Sequence, residues 1–118
     1  MSILEKIHKQ LNLDRETIEA LNKDGNNENA YRSIDHSFWS LEKENLDELS
    51  IILKNMEFDN PEVKEGRTDD GDKYYYLETK TKDNTKYHNI VKTSVLMECL
   101  AVIHHVEYDG WGTTIETT

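Results

Sequence analysis

Residues 69–79 read Asp69-Asp70-Gly71-Asp72-Lys73-Tyr74-Tyr75-Tyr76-Leu77-Glu78-Thr79. Short carboxylate side chains around a glycine are turn chemistry: the carboxylates accept from the local backbone and glycine supplies a positive φ. The run that follows is aromatic and β-branched, which suits a pleated strand. The stretch therefore predicts a β-hairpin over residues 62–82.

Working outward, a helix flanks the hairpin on each side. Leu46, Leu49, Ile52, Leu53 and Met56 form one apolar stripe at helical spacing. Ser40 is placed to cap that helix, Glu42 and Glu44 favour its N-terminal dipole, and Asn60-Pro61 marks the end of the region. After the hairpin, Asn89 to Val106 carries Ile90, Val91, Val95, Leu96, Met97, Cys99, Leu100, Val102, Ile103 and Val106. Apolar residues over so wide an arc predict a helix lying across a sheet as its main cover.

A strand lies outside each helix. Residues 30–39 alternate: Ala30, Arg32, Ile34, His36 and Phe38 fall on one row, and Tyr31, Ser33, Asp35, Ser37 and Trp39 on the other, more polar one. At the far end, Asp109-Gly110-Trp111-Gly112 reads as a turn into a final strand, Thr113 to Thr117. The N-terminus is helical, with Ile3, Leu4, Ile7 and Leu11 at helical spacing and Gly25 in the left-handed position after the helix end. Asp14 is a candidate N-cap for a second segment carrying Ile18 and Leu21, so residues 12–14 leave one helix or two open.

The order is a helix and then β-α-β-β-α-β, the split βαβ arrangement. It predicts an α+β fold: a ferredoxin-like, four-stranded antiparallel sheet with two helices on one face. The expected organisation is one domain over 1–118, with an N-terminal helical segment (1–25) and the ferredoxin-like core (26–118). Fold alone assigns no function.

Composition narrows the function classes. Lys and Arg number 14 against 24 Asp and Glu, a formal net charge of −10. Neutralising phosphates needs Lys and Arg, so direct nucleic-acid binding is not expected. One cysteine forms no internal disulfide and suits a reducing compartment. No apolar run approaches the roughly 18 residues of a membrane span, and the start lacks a signal peptide's apolar core. A cytoplasmic protein without membrane contact is expected.

Several residue groups invite a chemical reading. His104 and His105 are adjacent, and adjacent helical residues point about 100° apart, so they do not converge on one ion. Cys99 falls within the apolar arc and reads as a buried small hydrophobe. Arg32, Asp35 and His36 suggest an acid–base group, but strand alternation sends Asp35 to the opposite face, which favours a surface ion pair or partner contact. Asp69 to Asp72 is too short for a calcium loop and reads as a turn. No catalytic residue, metal ligand or cofactor is expected.

The least generic stretch is Val106-Glu107-Tyr108-Asp109-Gly110-Trp111-Gly112-Thr113. Its glycines permit positive φ or close backbone approach. Trp111 either pins the turn against the helices or serves as an aromatic anchor for another protein. This stretch, VEYDGWGT, resembles the regulator of ribonuclease activity B (RraB) family, also called ribonuclease E inhibitor B, at the same point after the last long helix. Leu21 to His36, LNKDGNNENAYRSIDH, resembles that family's entry into its first strand. The resemblance covers residues 14 to 118. Unlike many family members, the sequence shows no strongly acidic tail, and Tyr74 to Lys82 is more polar than the family's strand.

The resemblance implies a ferredoxin-like, acidic, cytoplasmic protein without catalytic activity. It implies a protein partner with a basic surface, an endoribonuclease of the ribonuclease E type, whose cleavage of RNA is restrained. Tyr108, Asp109, Gly110, Trp111 and Gly112 transfer as signature positions for protein binding. An acidic domain would dock on an Arg/Lys-rich surface by charge complementarity. The alternative from another class is an immunity-type inhibitor of a toxin nuclease. Oligomeric state is not legible in the sequence.

Overall fold

The computed structural model describes residues 1–118. Seven elements follow in order: α1 (Ile3–Lys23), β1 (Arg32–Ser40), α2 (Lys43–Asn55), β2 (Asp59–Arg67), β3 (Lys73–Asp83), α3 (Tyr87–Ile103) and β4 (Glu107–Gly112). The fold is α+β, with three helices and a four-stranded sheet in the order β2-β3-β1-β4, all pairs antiparallel.

The alternation expected of β1 is present. Arg32, Ile34, His36, Phe38 and Ser40 are buried beneath the helices, while Ser33, Asp35 and Trp39 lie exposed on the opposite face. Phe38 and Leu77 pair across β1 and β3 at the centre of the sheet and are fully buried. Against them pack Leu46, Leu49 and Leu53 of α2 and Met97, Leu100 and Ala101 of α3. Ile52 and Met56, assigned to the same stripe by spacing, lie at its margin and are partly exposed. The wide apolar arc of α3 has a physical cause: the helix lies between the sheet and α1, so two of its faces need cover.

The hairpin turn forms as expected. Thr68 and Asp72 exchange backbone and side-chain hydrogen bonds, and Gly71 takes φ 86°. Other expectations need correction. The N-terminal segment is one helix, capped by Ser2, whose Oγ accepts from the Glu5 amide. Asp14 is therefore a mid-helix residue, fully buried, and caps nothing. Ser40 Oγ accepts from the Glu42 amide, but Ser40 ends β1 and α2 starts at Lys43. Asn60-Pro61 lies inside β2, at its register irregularity; an edge strand tolerates proline because one row of its amides needs no ladder partner.

The largest correction concerns the C-terminus. The expected turn at 109–112 is itself strand β4, and residues 113–117 are not a strand. The turn sits earlier, at His105, which takes φ 56°. The segment after β4 is held by side chains: Arg32 Nη1 donates to the Thr114 carbonyl (3.2 Å), Thr113 Oγ1 donates to the Ser33 carbonyl (2.8 Å), and the Glu116 amide donates to Asn26 Oδ1 (3.2 Å).

Candidate protein-binding surface

The signature stretch is an edge strand with a bulge. Ser37 pairs with Gly110 while Phe38 pairs with Tyr108, so one extra residue, Asp109, sits in β4. Gly110 takes φ 99°, a conformation that residues with a Cβ rarely adopt. Residues three apart on a regular strand point to opposite faces. The bulge removes that rule here, and Tyr108 and Trp111 both turn towards the helices. Asp109 remains exposed.

Trp111 is half-buried against the small cluster of Ile18, Ile34 and Ile90. Its Nε1–H donates to Asp14 Oδ1 at 2.8 Å. The same oxygen accepts from Gln10 Nε2 at 2.8 Å, and Oδ2 accepts from Ser94 Oγ. One buried carboxylate thus joins α1, α3 and β4, with side-chain donors from all three.

A second, separate set of hydrogen bonds runs from Tyr108 across the sheet. The Tyr108 Oη shares a hydrogen bond with His36 Nδ1 (2.9 Å), and His36 Nε2 shares one with Thr81 Oγ1 (3.1 Å). Burial pushes the His36 imidazole down to about 4, and the Asp35 charge opposes that only in part. Burial raises the Tyr108 phenol, helped by the negative charges of Asp14 and Glu98. A neutral His36 and a neutral Tyr108 are the forms this interior accepts. Burial also raises the Glu98 carboxyl, while Lys6 opposes the shift. Glu98 lines a cavity of about 560 Å³ between α1 and β4, together with Lys6, Lys9 and Gln10.

The remaining candidates are dispersed. Arg32 is buried and uses neutral acceptors: Asn26 Oδ1 and the carbonyls of Asn27, Ala30 and Thr114. It clasps the loop between α1 and β1 to the segment after β4, contrary to the expected surface ion pair or partner contact. Asp35 sits on the opposite face, as alternation requires, 3.6 Å from Lys80. His104 Nδ1 faces Glu48 at 4.0 Å, and His105 turns away into solvent. Cys99 is half-buried, less enclosed than its apolar neighbours suggested, because it sits at the edge of the arc. No three His, Cys, Asp or Glu side chains converge in a metal-holding group. Ser94 beside Asp14 is fully buried, so this hydroxyl–carboxylate pair meets no solvent.

The sequence model of the family described as Regulator of ribonuclease activity B matches residues 11–113, from within α1 to just past β4. This chain belongs to the RraB family. The RraB match takes in every element of the sheet and Asp14, Ser94 and Trp111 of the buried network, and begins one residue after Gln10. Among relatives, the chain is similar to the Regulator of ribonuclease activity B of Colwellia psychrerythraea, 31% identical over 99 residues, covering 84% of this chain and 85% of the relative. It is also similar to the protein of that name from Alteromonas mediterranea, 27% identical over 103 residues (87% and 78% covered). A third, from Shewanella denitrificans, is 25% identical over 113 residues (96% and 88% covered).

Polar residues inside the RraB-type core were the part sequence reasoning missed. Gln10 and Ser94 look like ordinary helix-surface residues and Asp14 like a cap, yet all three are buried. The available signal was the period: Gln10, Asp14 and Ile18 fall at i, i+4 and i+8, one face of a helix.

Proposed function

We propose that this chain is a non-enzymatic regulator that binds an endoribonuclease of the ribonuclease E type and restrains its cleavage of RNA. The observation that carries the reading is the family match across residues 11–113. Charge supports it: the net charge is −10, and carboxylates stand exposed at the start of α2 (Glu42, Glu44, Glu48) and on the hairpin turn (Asp69, Asp70, Asp72). Such an exterior attracts a cationic protein surface and speeds encounter with it.

The strand order, read from the other edge as β4-β1-β3-β2, supports a ferredoxin-like plait with α1 added outside α3. Of the signature residues, Asp109 is the one whose side chain reaches outward to a partner. Tyr108, Gly110 and Trp111 hold the strand that presents it, and Gly112 closes that strand. No helix is long and apolar enough to cross a membrane, which is compatible with action on RNA degradation in the cytoplasm.

The test is a pull-down from host lysate followed by an RNA-cleavage assay on the recovered nuclease. The nuclease should co-purify at low salt, dissociate as salt rises, and cleave more slowly when the chain is added back. No association at low salt would end this reading.

A further inference from the structure

The sheet face opposite the helices has nothing packed on it, yet it is not purely polar. Trp39 pairs across strands with Tyr76, and the Tyr74 and Tyr76 rings lie 6.0 Å apart. Trp39 is 40% exposed, and Leu41 beside it is 66% exposed. A wet sheet face needs no tryptophan, and clustered exposed apolar side chains mark interaction sites. Together with Ser37 and Gly66 these residues line a groove of about 830 Å³ that crosses all four strands.

Charge at the ends of the groove selects the occupant. Asp109 on β4 lies at one end and Asp72 of the hairpin turn at the other, and neither has an ion-pair partner. The one cation lining the groove, Lys73, is already 3.3 Å from Glu65. Aromatic faces between free carboxylates suit a guanidinium, which stacks on rings and forms paired hydrogen bonds with carboxylates. Four strands at about 4.8 Å span about 14 Å, the length of four to five residues of extended chain. Bases could also stack on such a face, but their phosphates would meet Asp72, Asp109 and no free cation.

We infer that this open face is the docking surface for an extended, arginine-rich segment of the partner protein, with guanidinium groups on Trp39 and Tyr76 and ion pairs to Asp72 and Asp109. The inference rests on the reading that the chain acts by binding a protein. It also gives the bulge a purpose: Tyr108 and Trp111 turn inward while Asp109 stays beside the groove.

Calorimetric titration with a decapeptide of alternating Arg and Ser tests it. The Lys/Ser decapeptide and deca-uridine RNA serve as comparators. The Arg peptide should bind about tenfold more tightly than the Lys peptide, and Trp39→Ala should remove about tenfold, the scale of a desolvated cation–π contact. Asp109→Asn, which disturbs no packing, should weaken binding about threefold and lower its salt dependence. Glu16→Gln on the far side, exposed on α1, should change nothing. Absence of peptide binding, equal binding by all variants, or binding of the RNA in its place overturns the proposal. The same variants are then tried on the nuclease. If it binds wild type and both face variants alike, the face is wrong and the regulatory reading stands. If it ignores wild type while the peptide still depends on Trp39, the regulatory reading alone fails.

Discussion

Trp111 Nε1 donates to Asp14 Oδ1 at 2.8 Å, tying the last strand to the middle of the first helix across 97 positions of chain. Asp14 also accepts from Gln10 and Ser94, so α1 is docked by one carboxylate as much as by apolar contact. Buried donors that lose their acceptor carry their full desolvation cost. Asp14→Ala should therefore destabilise by about 2–3 kcal/mol. Asp14→Asn retains one acceptor oxygen and should lose clearly less. Urea midpoints of the two variants decide; equal losses would mean that the hydrogen bonds contribute little.

The glycines of the signature should behave differently. Gly110 takes φ 99° with open space around it, so a methyl group meets backbone strain and no clash. Gly110→Ala should cost about 1–2 kcal/mol, and Gly110→Asn less, because asparagine tolerates the left-handed region. Gly112 has neither positive φ nor a close neighbour. Gly112→Ala should stay within about 0.5 kcal/mol of wild type. Thermal melts give both values, and a costly Gly112→Ala would show that the β4 end is tighter than its geometry indicates.

Element order was legible because hydrophobic period and turn chemistry agreed in the middle of the chain. Tyr74 to Thr79, the Leu46–Leu53 stripe and the two rows of β1 each carried a local signal. What was not legible depended on partners distant in sequence. Asp14 resembles a cap until Trp111 and Ser94 arrive beside it. Asp109-Gly110 resembles a turn because a bulge uses the same positive φ that a turn uses. Arg32 resembles a surface cation, since nothing local shows that Asn26 and the Thr114 carbonyl will enclose it. The candidate surface was half visible: Trp39 was assigned to the wet face, but its pairing with Tyr76 required the β1–β3 register.

His36 should make stability depend on pH in a defined window. Its pKa falls from 6.5 to about 4 on folding, so between those values the unfolded chain binds more protons. Stability from this group is complete above about pH 6.5 and is lost as pH falls towards 4, by about 3 kcal/mol in total. His36→Gln keeps a donor and an acceptor for Tyr108 and Thr81 but does not titrate. Its urea midpoint should fall less steeply than that of wild type between pH 6.5 and 4.5, and parallel curves would remove His36 as the cause.

Glu98 carries the opposite sign. Its carboxyl is raised by burial, so the folded state holds the proton more tightly than the unfolded chain. The group's contribution is most favourable at low pH and declines as pH rises through its folded pKa. Glu98→Gln should therefore be as stable as wild type or more so at pH 7, and the difference should close in acid. A variant markedly weaker at pH 7 would mean that attraction to Lys6 outweighs the burial.

Arg32 offers a test of the C-terminal segment. Its guanidinium reaches one side-chain oxygen and the carbonyls of Asn27, Ala30 and Thr114 at once, a fork that lysine cannot reproduce. Hydrogen bonds from a charged donor are each worth about 1.5–3 kcal/mol, and the freed carbonyls regain water only if the segment lifts away. Arg32→Lys should thus loosen residues 113–118 while leaving the sheet paired. The Asn27 amide, which donates to the Glu116 carbonyl, and the Glu116 amide, which donates to Asn26, report directly on that release. Hydrogen exchange at both should accelerate well beyond that at Phe38 and Leu77. Uniform acceleration across the sheet would show instead that Arg32 supports the whole fold, and unchanged exchange would mean that the segment is held without it.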